Sequence, residues 1–337
     1  MGKEKICGDM KRIEGGSYYT YLTEGCRLCR RGAKLVLFVT GLCKRKCYYC
    51  PISEEKKGKD VIFANEREVR DIDDVVDEAL SMDAEGVAIT GGEPLLKLER
   101  VLEFVEMFSK ADMHVHLYTS VKAKESVLKK LAEKGLHEIR FHPPELKGIK
   151  EYEEPLKKAI KFSIEAGFEI PAVEYKEEIV EIVNRNDAFL NVNELEFSST
   201  NFSNLIKRGW EVGEGYEAKG SKEIADKYAE KVRKFHFCSV RFKDVAQLRR
   251  RLIRMAFNMP DFYKVTKDGT VICGLIEGDK ELIRKVLIQN GVEFQEVEEG
   301  FEVPVDVAES LKNEFMVSII ERYPTSKRII VEKIPLE

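Results

Sequence analysis

The sequence predicts an α/β protein with an open, partial (βα)6 barrel followed by a small α+β domain. About six units alternate a short apolar strand with a helix, which is typical of parallel β/α folds. Six units are too few for a closed (βα)8 barrel. After Phe257 the alternation stops and a hairpin signal appears. A doubly wound open sheet is the alternative arrangement of the same elements.

Apolar runs predict the strands, and helical spacing of apolar residues predicts the helices between them. The first strand, 34–40, is a nearly continuous apolar run rich in β-branched residues, which favours burial on both faces. Further strands are predicted at 87–90, 113–118, 138–142, 168–172 and 193–197. Helices are predicted at 72–80, 98–108, 124–134, 155–166 and 179–184.

The pattern divides the chain into three parts. Residues 1–32 form an N-terminal extension that contains cysteines, 33–257 form the partial barrel, and 258–337 form the small C-terminal α+β domain. In the last part a Lys267-Asp268-Gly269 turn predicts a hairpin, and Asp279 is suited to cap a helix.

Composition excludes a membrane or fibrous protein. The chain has 337 residues, 43% of them hydrophobic, and contains no apolar run long enough to span a bilayer. Its start lacks the apolar core of a secretory signal, so we expect a reducing cytoplasm and few disulfides. Six of the eight cysteines nevertheless fall within the first fifty residues, which indicates ligation of a metal or cluster.

The strongest motif is a CxxxCxxC sequence directly after the first strand, formed by Cys43, Cys47 and Cys50. Three thiolates at this spacing can hold one face of an iron-sulfur cluster. Three ligands for four irons leave one iron open to another ligand. A zinc site is the alternative, although zinc commonly takes four protein ligands in structural sites.

A second motif, Gly91-Gly92-Glu93-Pro94, follows the second predicted strand. With the cysteines, it resembles the radical S-adenosylmethionine (radical SAM) superfamily, closest in layout to pyruvate-formate-lyase-activating-enzyme-like proteins. The resemblance covers about 34–199 and implies that a [4Fe-4S] cluster cleaves S-adenosylmethionine reductively to a 5'-deoxyadenosyl radical, which abstracts hydrogen from a substrate. It further implies an electron donor such as ferredoxin or flavodoxin. The N-terminal cysteines and the C-terminal domain depart from compact activases.

The resemblance implies roles for individual residues. Tyr49, before the third cysteine, matches an aromatic position near the adenine. Gly91, Gly92, Glu93 and Pro94 match the GGEP motif, in which the glycines let the backbone approach the ligand and the glutamate accepts from the methionine ammonium.

Polar residues at the ends of later strands are weaker candidates for cofactor binding. Thr119 and Ser120 end the third strand, and Arg140 and His142 alternate onto one face of the fourth. Such residues could bind the ribose or the carboxylate of the cofactor. A salt-bridged pair at a strand end is the alternative interpretation.

The remaining cysteines suggest a second metal site. Cys26 and Cys29 form a CxxC knuckle in a segment without a helical or strand pattern, Cys7 lies upstream, and Cys238 follows the barrel core. Four such ligands could hold an auxiliary iron-sulfur cluster or zinc, and buried free thiols are the alternative. Cys273 lies in an apolar run and is assigned to core packing.

The substrate is not identified by any motif, so a small molecule and a macromolecule both remain open. Residues 227–254 carry ten basic and two acidic side chains, a local net of +8, whereas the whole chain has -4. A basic face of this kind can neutralise phosphates, so modification of a tRNA nucleoside is an alternative function. Glu196 and Ser198, at the predicted end of the sixth strand, are further candidates for substrate contact. An iron-sulfur protein without radical chemistry is the third hypothesis.

Overall fold

The computed structural model describes residues 9–337, so Cys7 lies outside the described residues. The chain divides into two compact units. The first contains residues up to 79 together with 84–248, and the second contains 80–83 together with 249–337. Within residues 9–337, no helix has the length and apolar character needed to cross a membrane.

The strands of the first unit, in chain order, are β1 (Lys11–Arg12), β2 (Tyr18–Tyr19), β3 (Lys34–Phe38), β4 (Phe63–Ala64), β5 (Arg67–Glu68), β6 (Gly86–Thr90), β7 (His114–Thr119), β8 (Glu138–Phe141), β9 (Glu165–Pro171), β10 (Phe189–Asn193) and β11 (Phe235–Cys238). The helices before residue 249 are α1 (Glu24–Arg30), α2 (Ile72–Ser81), α3 (Leu98–Lys110), α4 (Glu125–Glu133), α5 (Glu153–Lys161), α6 (Glu177–Arg185), α7 (Phe202–Ile206), α8 (Ser221–Ala229), α9 (Val240–Phe242) and a π-helix (Lys243–Leu248).

These strands form one sheet in the order β1-β2-β11-β10-β9-β8-β7-β6-β3-β4-β5. The run from β3 through β6 to β11 is parallel. At its two ends, β3 pairs with β4 and β11 pairs with β2, both antiparallel. The two ends therefore do not pair with each other, which confirms the predicted open partial barrel.

The larger departures from the sequence prediction concern the sixth strand, a seventh strand and the end of α5. The sixth strand was predicted at 193–197 but lies at Phe189–Asn193, and β11 adds a seventh parallel strand that the pattern did not reveal. Since β11 has only four residues, all buried, it shows no alternation to detect. Helix α5 ends at Lys161 rather than 166, because Ser163 has a positive φ of 62°.

The cysteine-containing extension is part of the first unit. Strand β2 pairs with β11, and α1 packs against β3, β6 and β7. The Thr23 hydroxyl caps α1 by accepting from the Cys26 amide. The expectation that no helical pattern surrounds these cysteines was wrong: Cys26 and Cys29 are three residues apart on α1, which places them on the same side of the helix.

The second unit contains α10 (Arg249–Phe257), β12 (Lys264–Val265), β13 (Val271–Glu277), α11 (Lys280–Gln289), β14 (Gln295–Glu296), β15 (Phe301–Val303), α12 (Val305–Leu311), β16 (Met316–Arg322) and β17 (Ile330–Pro335). Its antiparallel sheet has the order β14-β15-β13-β16-β17, with β12 beside β13. The predicted hairpin joins β12 to β13, with Gly269 at φ 85°. Asp279 caps α11, and Cys273 is fully buried in the core. The unit begins at Arg249, whereas the pattern indicated a boundary after Phe257.

Candidate functional site

The three motif cysteines lie in the loop of residues 39–62 that joins β3 to β4, here called the cysteine loop. Cys43, Cys47 and Cys50 are free thiols, and Cys43 is exposed while the other two are half-buried. A turn bond from the Cys50 amide to the Cys47 carbonyl, 3.1 Å, curves the chain. The Arg45 amide donates to Cys43 Sγ at 3.3 Å. Such amide bonds to sulfur are among the contacts that set the potential of an iron-sulfur cluster.

A residue that the motif did not reveal, Asn201, holds the cysteine loop from the other side of the barrel. Its Nδ2 donates to the Tyr49 carbonyl at 3.1 Å and to the Glu196 carbonyl at 3.0 Å, and its side chain is fully buried. Its Oδ1 accepts from the Ser198 amide at 2.8 Å. The Ser/Asn-rich stretch after β10 was the available sequence signal, but it does not indicate which loop the stretch contacts.

Gly91 and Gly92 run alongside the cysteine loop. The Gly92 amide donates to Thr40 O at 2.7 Å, and the Glu93 amide donates to Leu42 O at 2.8 Å. A Cβ on Gly91 would lie 2.5 Å from Thr40 O, and one on Gly92 would lie 2.5 Å from Leu42 O. The glycines are therefore required for close approach of two backbone segments, and neither needs a positive φ.

Glu93 lies where β6 and β7 end, and it is only 3% exposed. Its Oε1 accepts from Thr119 Oγ1 at 2.7 Å and from the Leu95 amide at 3.1 Å. Its Oε2 accepts from the Ser120 amide at 2.7 Å and from Ser120 Oγ at 2.6 Å. The structure therefore brings Glu93, Thr119 and Ser120 together. Pro94 follows as the first residue of a 3-10 turn.

Tyr49, within the cysteine loop, forms a hydrogen-bonded pair with His142. The Tyr49 hydroxyl lies 3.0 Å from His142 Nε2, and His142 Nδ1 lies 3.0 Å from the Glu169 carbonyl. Because that carbonyl only accepts, Nδ1 carries the proton and Nε2 accepts from Tyr49. Burial lowers the pKa of His142 and raises the pKa of Tyr49, which keeps both groups neutral. The bond from Nδ1 to the Glu169 carbonyl fixes the His142 ring, and Nε2 then holds the Tyr49 hydroxyl.

Arg140 faces the barrel lumen and is 2% exposed. Its Nε donates to Glu138, one terminal nitrogen donates to Glu169 and Tyr118, and the other donates to Thr23 and Cys26 Sγ. All five N–H groups therefore meet protein acceptors. A contact from Arg140 to the cofactor stays a prediction, and it would require one of these bonds to break.

Two cavities adjoin the cysteines. One of about 500 Å³ opens beside Cys47 and has five basic and two acidic side chains in its lining: Lys44, Arg45, Lys46, Lys122, Lys147, Glu145 and Glu151. The other, of about 250 Å³, lies in the lumen and is called the lumen cavity. Its lining includes Cys26, Cys29, Cys238, His236, Lys34, Lys243, Arg140, Glu169, Asn191 and Asn193.

The lumen cavity contains the described members of the second cysteine set. Cys26 Sγ accepts from Arg140 at 3.4 Å and from Asn191 at 3.6 Å, and Cys238 Sγ accepts from Gln247 at 3.6 Å. Burial raises the pKa of the Cys26 and Cys238 thiols. His236, which the sequence did not single out, is 4% exposed, and neither ring nitrogen has a hydrogen-bond partner within the described chain.

The basic segment 227–254 does not form one surface helix. It extends from the end of α8 through β11, α9 and the π-helix into α10. Lys231 pairs with Glu177, Lys234 with Asp187 and Lys243 with Glu196, each at 2.7 Å. Glu196, a candidate for substrate contact, is thus engaged by Lys243. Three of the ten basic side chains of this segment are therefore paired with carboxylates from elsewhere in the chain.

Comparisons with known proteins agree with this geometry. Residues 37–169 match the model of the Radical SAM superfamily, and residues 269–336 match a domain of unknown function, DUF8061. A protein of Methanocaldococcus jannaschii with the provisional name glycyl-radical enzyme activating enzyme is 37% identical over 94% of this chain and 93% of its own length. The GTP 3',8-cyclase of Alkaliphilus oremlandii is 34% identical over 25% of each chain.

Solved structures with partial likeness include methylornithine synthase, at 13% identity and a TM-score of 0.42 over 62% of this chain and 67% of that one. Streptococcus suis SuiB bound to its precursor peptide SuiA has 12% identity and a TM-score of 0.42 over 63% of this chain and 51% of that one. The sequence match to the archaeal relative extends over nearly the whole of both chains. The chain belongs to the radical SAM superfamily, whose members are enzymes that use S-adenosylmethionine and an iron-sulfur cluster.

Proposed function

We propose that Cys43, Cys47 and Cys50 hold a [4Fe-4S] cluster at which S-adenosylmethionine is cleaved, and that the resulting radical abstracts hydrogen from a substrate not yet identified. The observation that carries the proposal is the pairing of two motifs: the backbone of Gly92 and Glu93 is hydrogen-bonded to Thr40 and Leu42 of the cysteine loop. The backbone of the buried Glu93 is thereby held against Leu42, the residue before Cys43.

The donor set fits such a cluster. Cys43, Cys47 and Cys50 are free thiols on one loop, and three thiolates leave one iron of a four-iron cluster open, whereas structural zinc sites are commonly closed by four protein ligands. When bound, the cluster and cofactor supply the one-electron cleavage that yields a 5'-deoxyadenosyl radical.

The chain's own residues would position the cofactor. All four acceptor directions of the Glu93 carboxylate are occupied in this structure, one of them by the Ser120 hydroxyl. A hydroxyl rotates at low cost, so Ser120 can release Oε2 to an incoming ammonium group. Thr119 and the Ser120 amide continue to hold the carboxylate in place. Tyr49, oriented by His142, supplies an aromatic ring beside the cysteine loop for the adenine.

A protein substrate is the class that the archaeal relative suggests, because its name refers to activation of a glycyl-radical enzyme. Such activation is hydrogen abstraction from a polypeptide, and it needs an external one-electron donor such as ferredoxin or flavodoxin. The basic cavity beside Cys47 has a formal excess of three positive charges in its lining. We infer that it favours an acidic segment of that substrate or of the electron donor.

Modification of tRNA, the alternative function, would draw on the basic residues of 227–254 other than Lys231, Lys234 and Lys243, which are paired with carboxylates. The third hypothesis, an iron-sulfur protein without radical chemistry, is distinguished from a radical enzyme by the experiment below.

We also propose that the protein works in the cytoplasm, because its cysteine thiols stay reduced there.

The test is reductive cleavage of S-adenosylmethionine by the full chain. After anaerobic reconstitution with iron and sulfide, addition of dithionite and S-adenosylmethionine is expected to form 5'-deoxyadenosine and methionine, measured by liquid chromatography. The reaction should require both the reductant and the reconstituted protein. Normal cluster incorporation without any 5'-deoxyadenosine would support the iron-sulfur protein without radical chemistry instead.

We further propose that the thiols of the lumen cavity hold an auxiliary iron-sulfur cluster. Cys26, Cys29 and Cys238 line this cavity together with His236. Because neither ring nitrogen of His236 has a partner within the described chain, His236 is a candidate fourth ligand, as an alternative to Cys7. Thiols and an imidazole are ligands that an iron-sulfur cluster and zinc both accept, so metal analysis separates the two. Lys34, Lys243 and Arg140 would offset the negative charge of several thiolates.

Metal analysis tests the auxiliary cluster. Reconstituted wild type is expected to contain about eight iron atoms per chain, as two four-iron clusters require. The double variant Cys26→Ser/Cys238→Ser should contain about four iron atoms per chain and should still cleave S-adenosylmethionine. A matched control, Cys273→Ser, should keep about eight, because Cys273 lies in the core of the second unit. A wild type with only about four iron atoms would refute the auxiliary cluster.

A further inference from the structure

A group of side chains that could hold a metal ion lies at the amino-terminal ends of two neighbouring strands and includes none of the cysteines. His114 and His116 are two residues apart on β7 and therefore face the same side of the sheet. Glu138 is the first residue of β8, and β7 and β8 pair with His116 opposite Glu138. One ligand atom from each of these three side chains lies within 4.8 Å of the others.

Hydrogen bonding in the fold leaves these imidazoles unsatisfied. His116 is fully buried, and within the described chain neither of its ring nitrogens has a hydrogen-bond partner. The same is true of His114 Nδ1, while His114 Nε2 lies 3.7 Å from Glu138 Oε2. A buried polar atom without a partner costs about 1–3 kcal/mol.

Glu138 is held so that one oxygen faces the histidines. Its Oε1 accepts from Arg140 Nε at 2.5 Å, and its Oε2 accepts from the Gly25 amide at 3.2 Å. Contacts of this kind orient carboxylates that bind metals. Arg140 also pairs with Glu169, and Glu165 lies near enough to interact with both Glu138 and Arg140. The three carboxylates, Glu138, Glu165 and Glu169, outnumber the two nearby cations, Arg140 and Lys34. The local charge therefore does not repel an added divalent cation.

Gly25 lies directly over His116 and Glu138. A Cβ at this position would lie 2.7 Å from His116 Nδ1 and 2.9 Å from Glu138 Oε2. Any other residue at position 25 would therefore press against His116 and Glu138. The glycine allows α1 to cover the group closely without displacing it.

We propose that His114, His116 and Glu138 bind one divalent transition-metal ion, for which Zn²⁺ is the probe. Two imidazoles and one carboxylate are a ligand set that Zn²⁺ and Fe²⁺ both accept. The ion would bind one nitrogen of each histidine, including one of the two unpartnered nitrogens of His116, and would join β7 to β8 beneath α1. This site requires neither iron-sulfur cluster and goes beyond the proposed cleavage reaction.

The experiment counts zinc in the full chain after both iron-sulfur sites have been filled by reconstitution. Wild type incubated with Zn²⁺ and desalted is expected to retain about one zinc per chain, measured by inductively coupled plasma mass spectrometry. His116→Phe keeps the ring shape but removes both nitrogens, and it should weaken zinc binding by at least ~100-fold, since even outer contacts are worth 10- to 100-fold. The control is His137→Gln, because His137 packs against His114 but lies outside the ligand set.

Zinc should also raise the melting temperature of wild type and of His137→Gln, but not that of His116→Phe, since only a chain with the site gains binding energy in the folded state. If His116→Phe does not fold, His114→Gln replaces it as the test variant. Wild type that retains no zinc, or equal zinc in wild type and the ligand variant, would overturn the proposal. Either result leaves cleavage of S-adenosylmethionine unaffected, so the two proposals fail independently.

Discussion

Cys47→Ala is expected to reduce formation of 5'-deoxyadenosine to the level of a reaction without protein. The cysteine loop supplies only three thiols to the cluster, and removing one leaves two ligands for four irons. The measurement is anaerobic turnover with dithionite, together with the iron content of the reconstituted variant. Iron should fall by about four atoms per chain if the lumen cavity keeps its own cluster.

A matched substitution controls for the general loss of a cysteine. Cys273→Ala removes a thiol that is fully buried in the antiparallel unit, where no site is proposed. It should cost some stability through the small cavity it leaves, yet keep 5'-deoxyadenosine formation near the wild-type rate. Substantial product from Cys47→Ala would show that the cysteine loop does not hold the reactive cluster.

Arg140→Met is expected to cost about 3–5 kcal/mol in the free energy of unfolding of the first unit. The substitution leaves two carboxylates, Glu138 and Glu169, in the lumen without their guanidinium partner. A buried charge that loses its partner pays the full desolvation penalty, whereas methionine fills much of the arginine volume. Urea unfolding, followed through the single tryptophan, Trp210, reports on this unit.

Arg185→Met is the control for this stability measurement. Arg185 pairs with Glu153 at 2.9 Å, but its side chain is 57% exposed. Water replaces such a partner readily, so the urea midpoint of this variant should stay close to that of the wild type. Both variants should be unfolded with a chelator present, so that metal bound near Glu138 does not contribute. An equal loss of stability in Arg140→Met and Arg185→Met would contradict a stabilising role for the buried pairs of Arg140 with Glu138 and Glu169.

The local motifs are recognisable in the amino-acid sequence, because their geometry depends on residues close together in the chain. Cys43, Cys47 and Cys50 are within eight residues, so one loop brings them together. The alternation of strands and helices similarly predicted the open barrel, since each β/α unit buries its apolar face locally. The short strand β11 escaped notice because four buried residues carry no period.

The partners of the motif residues could not be predicted, because they come from distant parts of the chain. Asn201 holds Tyr49 across a separation of 152 residues, and Thr23 reaches Arg140 across 117. The sequence suggested Arg140 and His142 as cofactor contacts from strand alternation alone. Alternation correctly places Arg140 towards the lumen, but it cannot show that protein acceptors already occupy its five donors.

The sequence by itself determined the chemistry available to this protein: a three-thiol loop, a GGEP segment at the next parallel strand end, and a further set of cysteines. Tertiary structure decided how these parts are used. It explained the two glycines by backbone approach to the cysteine loop, and it placed Cys26, Cys29 and Cys238 around one cavity. It also brought His114, His116 and Glu138 together. The reason is physical: spacing along the chain fixes which side of a strand or helix a residue faces, whereas the packing of the whole sheet fixes what it meets there.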